Sequence, residues 1–239
     1  MKQVYLDQAI DVNDTLALDS KQAHHIFDVL RTSSKEKIRI VTKSSGVFYG
    51  HVLDKPNLHI DEKLDVLQDS QSITLCCALI KQDKFEWMLQ KACELGVSKI
   101  VPFVSKNTVV KLDEKKAEKK LVRWNEILLA ATKQCNRNTL VELESVVSLK
   151  DLVNYKSECN VVAYEKESDP SKHMAHYLQS NPYSVTVCIG PEGGFEVSEI
   201  KVLNDFGFEN CSLGKNILRA ETAACYVLSA IEYQNHVEG

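Results

Sequence analysis

Two glycine-containing segments near the C-terminus have the residue types and spacing expected of ligand-binding loops. The first, GPEGGFEVSE, begins at Gly190 after SVTVCI, an apolar and β-branched run that predicts a buried strand. The second, LGKNILRAETAA, begins at Leu213 within ENCSLG and repeats this arrangement. Gly190, Gly193 and Gly194 lack Cβ atoms, so a bound molecule could approach the main chain closely there. Both segments are therefore predicted to bind a ligand.

Three charged residues in these segments could take part in chemistry. Arg219 carries a guanidinium group that stays positively charged and could bind a phosphate or a carbonyl oxygen bearing negative charge. A salt bridge from Arg219 to Glu192 or Glu221 is the structural alternative. The two glutamates could accept a proton or contact a ligand amine, or they could brace their loops by accepting backbone N–H groups. The sequence leaves the choice of a general base open.

Other well-known ligand sites do not match the sequence. A Walker phosphate loop is excluded, because Glu209 stands five residues before Gly214, where a glycine is needed, and Asn216 replaces Ser or Thr. The absence of GxGxxG removes the fingerprint of a nicotinamide dinucleotide fold. His173 and His176 have no accompanying cysteine or carboxylate set, so no metal site is expected.

Five blocks, in the family's order, resemble the SPOUT methyltransferases, and specifically the RsmE-type 16S ribosomal RNA uracil-N3 methyltransferases. Besides the two loops they are HHIFDVLR (residues 24–31), LQKACELGVSKIVPF (residues 89–103) and KQCNR (residues 133–137). The resemblance spans nearly the whole chain and implies that S-adenosylmethionine is the cofactor. It implies cofactor contacts from Gly190, Gly194, Leu213, Gly214, Ile217 and Leu218. Gly193 lies in the same loop, and Tyr164, which ends the predicted strand NVVAY, is expected to form a third wall.

The same resemblance implies the reaction and its partners. The expected activity is methylation of N3 of a uracil in 16S rRNA by a homodimer, with Arg219 and Glu221 as catalytic candidates. The expected RNA-binding residues are His24, His25, Arg31, Gln134 and Arg137. For the two histidines, a role across the dimer or a structural role is the alternative, and for Gln134 and Arg137 it is the capping of a helix end. Two alternatives remain open from the sequence, namely another SPOUT RNA methyltransferase, such as a ribose 2′-O enzyme acting on tRNA or rRNA, and a non-catalytic RNA-binding assembly factor.

The pattern of elements predicts an α/β protein with two domains. Residues 1–70 contain the β-branched runs KIRIVT, GVFYGHVL and NLHIDEKLDVL, which favour a small barrel or sandwich, and the resemblance implies a PUA-like β-barrel. The polar segment LQDSQS is the candidate linker. In residues 71–239 strands and helices alternate, which predicts a parallel sheet. The resemblance adds a trefoil knot to this second domain.

Several helix details are predicted from spacing. Ile26, Val29 and Leu30 should form one apolar helical face. Asp83, with Glu86 three residues later, should form a capping box that opens a helix. VSKIVPFV (residues 97–104) should be the next strand, Asp113 should cap the helix after it, and a further helix is expected over residues 170–179. Two apolar stripes are candidates for a dimer surface or for internal packing. They are Ala224, Leu228 and Ile231 in the last helix, and the Leu121, Trp124 and Leu128 face of an earlier one.

Composition sets limits on location and partners. The 239 residues have a net charge of −4, but residues 71–150 carry 14 basic and 9 acidic side chains, whereas residues 151–239 carry 6 and 13. The basic residues are thus concentrated in the centre of the chain, but charge alone does not decide whether the protein binds RNA. The sequence does not start with the charged and then apolar pattern of a signal peptide, and it contains no apolar run long enough to span a membrane. We therefore expect a cytoplasmic protein without a membrane span. Eight scattered cysteines without CxxC predict no disulfides.

Overall fold

The chain forms two compact units. The computed structural model describes residues 2–6, 8–42, 46–66, 71–110 and 113–237. The first unit comprises residues 1–68 together with the short segment 133–140, and the second comprises residues 69–132 and 141–239. Most of the predicted linker LQDSQS falls outside the described residues, so that assignment stays a prediction.

The first unit is built on a five-stranded sheet. Its strands are β1 (Gln3–Leu6), β2 (Thr15–Ala17), β3 (Ile38–Thr42), β4 (Val47–Val52) and β5 (Asn57–Leu64), in the order β1-β3-β4-β5-β2. The β1–β3 pair is parallel and the other pairs are antiparallel. Alternate side chains such as Ile38, Ile40 and Ile60 are completely buried in one core, as expected for strands with one face inward. The three strands predicted from β-branched runs are confirmed.

The HHIFDVLR segment forms a π-helix rather than a regular α-helix. A short helix, α1 (Ser20–Ala23), continues into a π-helical stretch at His24–Val29. Ile26 is buried in the core and Leu30 packs against it, but Val29 is 57% exposed. The prediction that Val29 shares their face was wrong, because a π-helix bonds residues five apart and shifts the apolar positions relative to an α-helix.

The second unit contains a parallel sheet. Its strands are β6 (Ser72–Ala78), β7 (Lys99–Val104), β8 (Glu142–Leu143), β9 (Val147–Ser148), β10 (Cys159–Ala163), β11 (Ser184–Ile189) and β12 (Glu209–Cys211). The order is β12-β10-β11-β6-β7-β8, with β9 also paired to β7, and every recorded pair is parallel. Together with the helices between the strands, this sheet confirms the predicted mixed α/β class.

Helices connect these strands. They are α2 (Gln82–Glu94), α3 (Glu114–Gln134), α4 (Met174–Leu178), α5 (Val197–Asp205) and α6 (Ala220–Val237), with 3₁₀ turns at Leu149–Tyr155 and Pro170–Lys172. The helix predicted over residues 170–179 is divided, because His173 has an extended backbone with ψ 143°. Its ring nitrogen accepts the N–H of Ala175 instead, which caps α4.

The start of α2 differs from the prediction, whereas the start of α3 agrees with it. Asp83 is inside the first turn of α2 and Lys81 is the capping residue, so no capping box forms. Glu86 instead forms a bidentate ion pair with Arg123 of α3, in which Nε and Nη2 of the arginine each lie 2.7 Å from a carboxylate oxygen. Asp113 caps α3 as predicted and accepts the N–H of Lys116 at 2.8 Å.

Both apolar stripes considered for a dimer surface are largely internal. Ala224, Leu228 and Ile231 on α6 are completely buried within the single chain. On α3, Trp124 and Leu128 are almost completely buried, and the Trp124 ring lies 4.6 Å from that of Phe85 on α2. These residues are already covered by their own chain, so they cannot form a surface for a second copy.

Candidate functional site

Three loops meet at one edge of the parallel sheet. Strands β10, β11 and β12 are neighbours, and all run in the same direction. The segments that follow them begin at Tyr164, Gly190 and Ser212, so all three emerge from the carboxyl edge. Ligands of open α/β sheets bind in crevices outside this edge. The two glycine segments and Tyr164 are therefore brought together, although they are far apart in sequence.

A cavity lies between these loops, with about 630 Å³ of empty space that is partly open to solvent. Seven of the eight residues predicted to contact the cofactor line it. They are Tyr164, Gly190, Gly194, Leu213, Gly214, Ile217 and Leu218. The eighth, Gly193, lines an adjoining cavity instead. Much of the first cavity's wall is apolar, with contributions from Ala163, Ile189 and Ala223. Its partly apolar lining suits a flat, ring-containing ligand.

Two of the glycines have backbone conformations that side chains rarely adopt. Gly194 has φ +68°, and a Cβ atom added there would lie 2.9 Å from Oε1 of Glu165. Gly214 has φ +119°, and a Cβ atom there would have no neighbour within 4 Å, so it would project into open space. Glycine is favoured at both positions because it lacks the steric penalty of the left-handed region. The loops thus present bare backbone to the cavity, and the residues fit a cofactor that lies against the main chain.

A second cavity, with several charged residues in its wall, adjoins the first. The two share wall residues including Glu165, Gly194, Ile217 and Leu218. The charged residues of the second cavity are Lys81, Lys84, Glu165, Glu192, Arg219 and Glu221. Both catalytic candidates, Arg219 and Glu221, are therefore found beside the predicted cofactor cavity.

Arg219 is available for a ligand. Its side chain is exposed, and it makes no hydrogen bond or ion pair within the described part of the chain. The salt bridges considered as alternatives do not form, because Glu221 pairs with Lys84 and Glu192 accepts the N–H of Lys81 at 3.2 Å. A cation at the cavity wall without a protein partner can bind an anion or a developing negative charge.

Glu221 is held in place by an ion pair. Its Oε1 atom lies 3.0 Å from Nζ of Lys84, and its side chain is 9% exposed, against 41% for the lysine. The residue is in the first turn of α6, where the helix dipole favours a negative charge. This fixed carboxylate contributes charge to the cavity wall, and its pairing with Lys84 was not expected from the sequence.

The first glycine loop is braced by the segment that follows β7. The Nδ2 atom of Asn107 donates to the carbonyl oxygens of Gly193 and Gly194 at 3.3 and 3.2 Å. The buried Glu199 carboxylate accepts N–H groups from Lys106 and Glu196, which ties the start of α5 to the same segment. The loop is therefore preorganised by partners almost ninety residues earlier in the chain.

Sequence reasoning missed three residues of this site, which are Lys84, Asn107 and Glu165. Asn107 follows a predicted strand in the polar run SKNT, and Glu165 follows Tyr164 at another strand end. Their position after neighbouring parallel strands was the available signal, because such strand ends share one edge. Lys84 gave no such signal, since it is on a helix and pairs with a residue far along the chain.

The five predicted RNA-binding residues all belong to the first unit. Arg31 is exposed and has φ +46°, an uncommon value for a residue other than glycine. His24 is exposed and its ring nitrogen lies 2.9 Å from Asp28, whereas His25 is half-buried. The structure places Gln134 on the surface and Arg137 partly inside.

These five residues are not gathered into one cluster. The His24–Val29 segment packs on the core side of the sheet through Ile26. The segment around Arg137 contacts the other side, where its carbonyl oxygen accepts from the hydroxyl of Tyr5 at 3.2 Å. Alternate residues of a strand point to opposite faces, so the two groups lie against different faces of the sheet.

Two further observations concern metals and membranes. Within residues 2–6, 8–42, 46–66, 71–110 and 113–237, no group of three or more His, Cys, Asp and Glu side chains is arranged to hold a metal ion. In the same ranges, no helix has both the length and the apolar composition needed to span a bilayer.

Comparison with known proteins gives one consistent family. Residues 68–232 match the model of the RNA methyltransferase domain family. Ribosomal RNA small subunit methyltransferase E of Bacillus subtilis is 34% identical over 96% of this chain and 94% of its own length. The protein of the same name from Mesomycoplasma hyopneumoniae is 36% identical over 68% of this chain and 70% of its own length.

Solved structures agree with these matches. A methyltransferase from Legionella pneumophila, in complex with bound S-adenosylmethionine, is 29% identical and has a TM-score of 0.82, with 97% of this chain and 96% of that chain covered. Ribosomal RNA small subunit methyltransferase E from Neisseria gonorrhoeae, bound to S-adenosylmethionine, is 26% identical with a TM-score of 0.83, covering 98% and 97%. The chain therefore belongs to the RNA methyltransferase domain family, in the group of the ribosomal RNA small subunit methyltransferase E proteins.

Proposed function

We propose that this chain is a cytoplasmic, S-adenosylmethionine-dependent methyltransferase that modifies N3 of a specific uracil in 16S ribosomal RNA. The observation that carries the proposal is the cavity at the carboxyl edge of β10, β11 and β12, where seven of the eight predicted cofactor residues converge. Relatives that match almost the whole chain carry the name of a small-subunit rRNA methyltransferase, and one of them was solved with S-adenosylmethionine.

In this proposal the first cavity holds the cofactor and the second receives the target base. S-adenosylmethionine would supply an electrophilic methyl group. Leu213 and Leu218 provide apolar walls for the adenine, while Gly190, Gly194 and Gly214 let the main chain approach the ligand. Gly193 borders the second cavity and belongs to the same loop. The protein would contribute mainly by positioning two reactants, which can supply a large share of the rate enhancement.

Arg219 is proposed to stabilise charge on the target. Removing the proton from N3 leaves negative charge on the uracil carbonyl oxygens, and a guanidinium without a protein partner is suited to bind them. Glu221 is proposed to act beside it as a fixed negative charge, held by Lys84. Because its carboxylate is already paired, we assign it to organising the second cavity rather than to taking the N3 proton.

The target uracil must be unpaired when it reacts, because N3 lies on the Watson–Crick edge. We propose that His24, His25, Arg31, Gln134 and Arg137 of the first unit contact the surrounding rRNA. Since these residues lie against two faces of one sheet, the RNA contact would be extended rather than a single pocket. The exposed Arg31 is the clearest candidate for a phosphate contact.

The finer fold assignments are also proposals. We propose a PUA-like barrel for residues 1–70 and a SPOUT trefoil knot within residues 71–239. β12 pairs with the side of β10 opposite to β11, so the chain that contains α5 crosses β10 between β11 and β12. The whole-length resemblance to RsmE-type enzymes supports both assignments.

We further propose a homodimer, formed by a surface other than the two internal stripes. On α6, Tyr226 and Tyr233 are seven residues apart on one helix face and are 40% and 69% exposed. Exposed aromatic side chains are enriched at protein interfaces. Sedimentation equilibrium should give a dimer for the wild type and a monomer for Tyr226→Glu/Tyr233→Glu. A monomeric wild type with full activity would contradict the dimer.

Two experiments test the enzymatic proposal. Titration calorimetry should show that the purified chain binds S-adenosylmethionine. Mass-spectrometric mapping of 16S rRNA from a deletion strain should show one uracil without its N3 methyl group, restored by the wild-type gene. Restoration of a 2′-O-methyl group instead would identify the alternative ribose enzyme, and cofactor binding without any change in rRNA would favour an assembly factor.

Arg219→Ala is the corresponding site variant. Loss of one donor that stabilises charge in the transition state typically lowers the rate about 10²- to 10³-fold. We expect such a loss in single-turnover methyl transfer, with the affinity for S-adenosylmethionine nearly unchanged. Equal rates for variant and wild type would show that Arg219 has no catalytic role, and an equal loss of affinity would show that it shapes the cofactor cavity.

A further inference from the structure

Glu165 is a carboxylate at the junction of the two cavities. It lies two residues beyond the end of β10, its side chain is exposed, and it lines both cavities. Within the described portion of the chain its carboxylate makes no hydrogen bond or ion pair. The neighbouring Glu167, by contrast, accepts two backbone N–H groups and pairs with Lys172. Glu165 therefore has no evident structural role.

The surroundings of Glu165 hold it beside the first glycine loop. Its Oε1 atom is 2.9 Å from the position that a Cβ atom would occupy on residue 194, so the carboxylate lies directly over bare backbone. Asn107 fixes the carbonyl group of Gly194 at 3.2 Å. On the other side, the N–H of Glu167 donates to the carbonyl oxygen of Tyr164 at 3.1 Å and closes a turn around Glu165. The backbone on both sides of the Glu165 carboxylate is thus fixed by hydrogen bonds.

The character of the two cavities indicates which part of a nucleoside ligand would lie at this junction. The first cavity has apolar walls such as Leu213 and Ala223 that suit a base, and the second presents charged groups such as Arg219 to the reacting end. The methyl group of a cofactor in the first cavity must face the target base in the second, so its sulfonium end would lie toward the junction. The ribose connects the adenine to that end, so it would lie beside the junction. A carboxylate accepts two hydrogen bonds at once, and carboxylates bind ribose hydroxyls in this way in other nucleotide sites.

We propose that Glu165 accepts hydrogen bonds from the 2′- and 3′-hydroxyl groups of the cofactor ribose. This inference rests on the proposed function, because it assumes that S-adenosylmethionine occupies the first cavity. It makes Glu165 a specificity-determining residue. The carboxylate would favour an unmodified ribose and would repel a nucleotide that carries a phosphate on either hydroxyl group.

The test compares Glu165→Ala with the wild type by titration calorimetry against four ligands. They are S-adenosylmethionine, S-adenosylhomocysteine, 5′-methylthioadenosine and 2′-deoxy-5′-methylthioadenosine. Hydrogen bonds to a charged acceptor are worth enough that their loss should weaken binding about ten- to a hundredfold. We expect this loss for the first three ligands, all of which carry the ribose diol. For the 2′-deoxy ligand the difference between variant and wild type should shrink by about tenfold or more.

The other patterns overturn the proposal. A loss for the two ligands that carry the amino acid, but not for 5′-methylthioadenosine, would show that Glu165 binds the ammonium group. A loss for S-adenosylmethionine alone would show that it binds the sulfonium, and unchanged affinity for all four would show that it contacts none of them. The proposed function fails separately, if the wild type itself does not bind S-adenosylmethionine.

A matched variant controls for the loss of a surface charge. Glu118 is an exposed glutamate on α3 that borders neither cavity. Glu118→Ala should bind all four ligands like the wild type, and both variants should unfold at the wild-type urea concentration within error. An equal loss in Glu118→Ala would show that the net charge of the protein, rather than a contact at the junction, controls affinity, and it would also overturn the proposal.

Discussion

Replacing Lys84 should destabilise the second unit more than replacing its partner Glu221. The two side chains form an ion pair of 3.0 Å, but only the carboxylate is buried, with 9% of its side chain exposed against 41% for the lysine. In Lys84→Met the glutamate would remain buried without a cation. In Glu221→Gln the ammonium group could turn toward water. Because the two partners are buried to different extents, we expect the two substitutions to lower the free energy of unfolding by different amounts.

The expected magnitudes follow from the same burial. Pairs on the surface contribute about 0–1 kcal/mol. Removal of one partner from a fully buried pair costs about 3–5 kcal/mol. The burial of the Lys84–Glu221 pair lies between these two cases. We therefore expect Lys84→Met to lower the free energy of unfolding by about 1–3 kcal/mol, and Glu221→Gln to lower it by about 1 kcal/mol or less. The double variant should cost less than the sum of the two, by about 1 kcal/mol.

Urea unfolding followed by tryptophan fluorescence can measure these differences. Both tryptophans, Trp87 and Trp124, belong to the second unit, so the signal reports that unit. Lys91→Met is the control, because Lys91 is also on α2 but pairs with Glu94 at the surface, where the two side chains are 35% and 32% exposed. We expect the control to lie within about 0.5 kcal/mol of the wild type.

Three results would refute this reasoning. Equal costs for Lys84→Met and Glu221→Gln would show that burial does not set the balance between the partners. A larger cost for Glu221→Gln would show that the ammonium group is the one removed from water. Additive costs in the double variant would show that the two charges do not interact in solution.

Three further predictions address the two cavities, the first unit and the thiols. Ala223→Leu should fill part of the first cavity and weaken S-adenosylmethionine binding about tenfold or more, whereas Ala130→Leu, at an exposed position of α3 that lines neither cavity, should leave affinity unchanged in calorimetry. Arg31→Gly should stabilise the first unit by about 1 kcal/mol, because its φ of +46° suits glycine, and yet weaken rRNA binding in a filter assay. Stronger or equal RNA binding would contradict the proposed contact. Burial raises the pKa of the Cys211 thiol to about 12, so at pH 8 only about one thiolate in 10⁴ forms, and peptide mass spectrometry should find Cys211 unalkylated until the pH rises or the protein unfolds.

The parts of the site that sequence could predict are local ones. Gly194 and Gly214 stand out because a glycine just after a β-branched run indicates a strand end that a ligand can approach. Tyr164 follows from the same logic on a third strand. The parallel sheet, which the alternation of strands and helices predicts, then brings these strand ends together.

The parts that sequence could not predict depend on partners far along the chain. Lys84 holds Glu221 across 137 positions, and Asn107 holds Gly194 across 87. An apolar stripe such as Ala224, Leu228 and Ile231 shows that something covers a helix face, but it does not show whether the cover is the same chain or a second copy. The prediction for Val29 failed for a different reason. It assumed the α-helical repeat of 3.6 residues per turn, which does not apply in a π-helix.

The segment 133–140 has a consequence for the order in which the protein can fold during synthesis. The hydroxyl of Tyr5 donates to the carbonyl oxygen of Arg137, and Arg39, which is 7% exposed, bonds to the Asn138 side chain. Residues 1–68 leave the ribosome well before these partners exist, because chains are made from the N-terminus onward at a limited rate. Until residues 137 and 138 have emerged, the nascent first unit lacks these two hydrogen bonds. A chain cut off before that point would never form them.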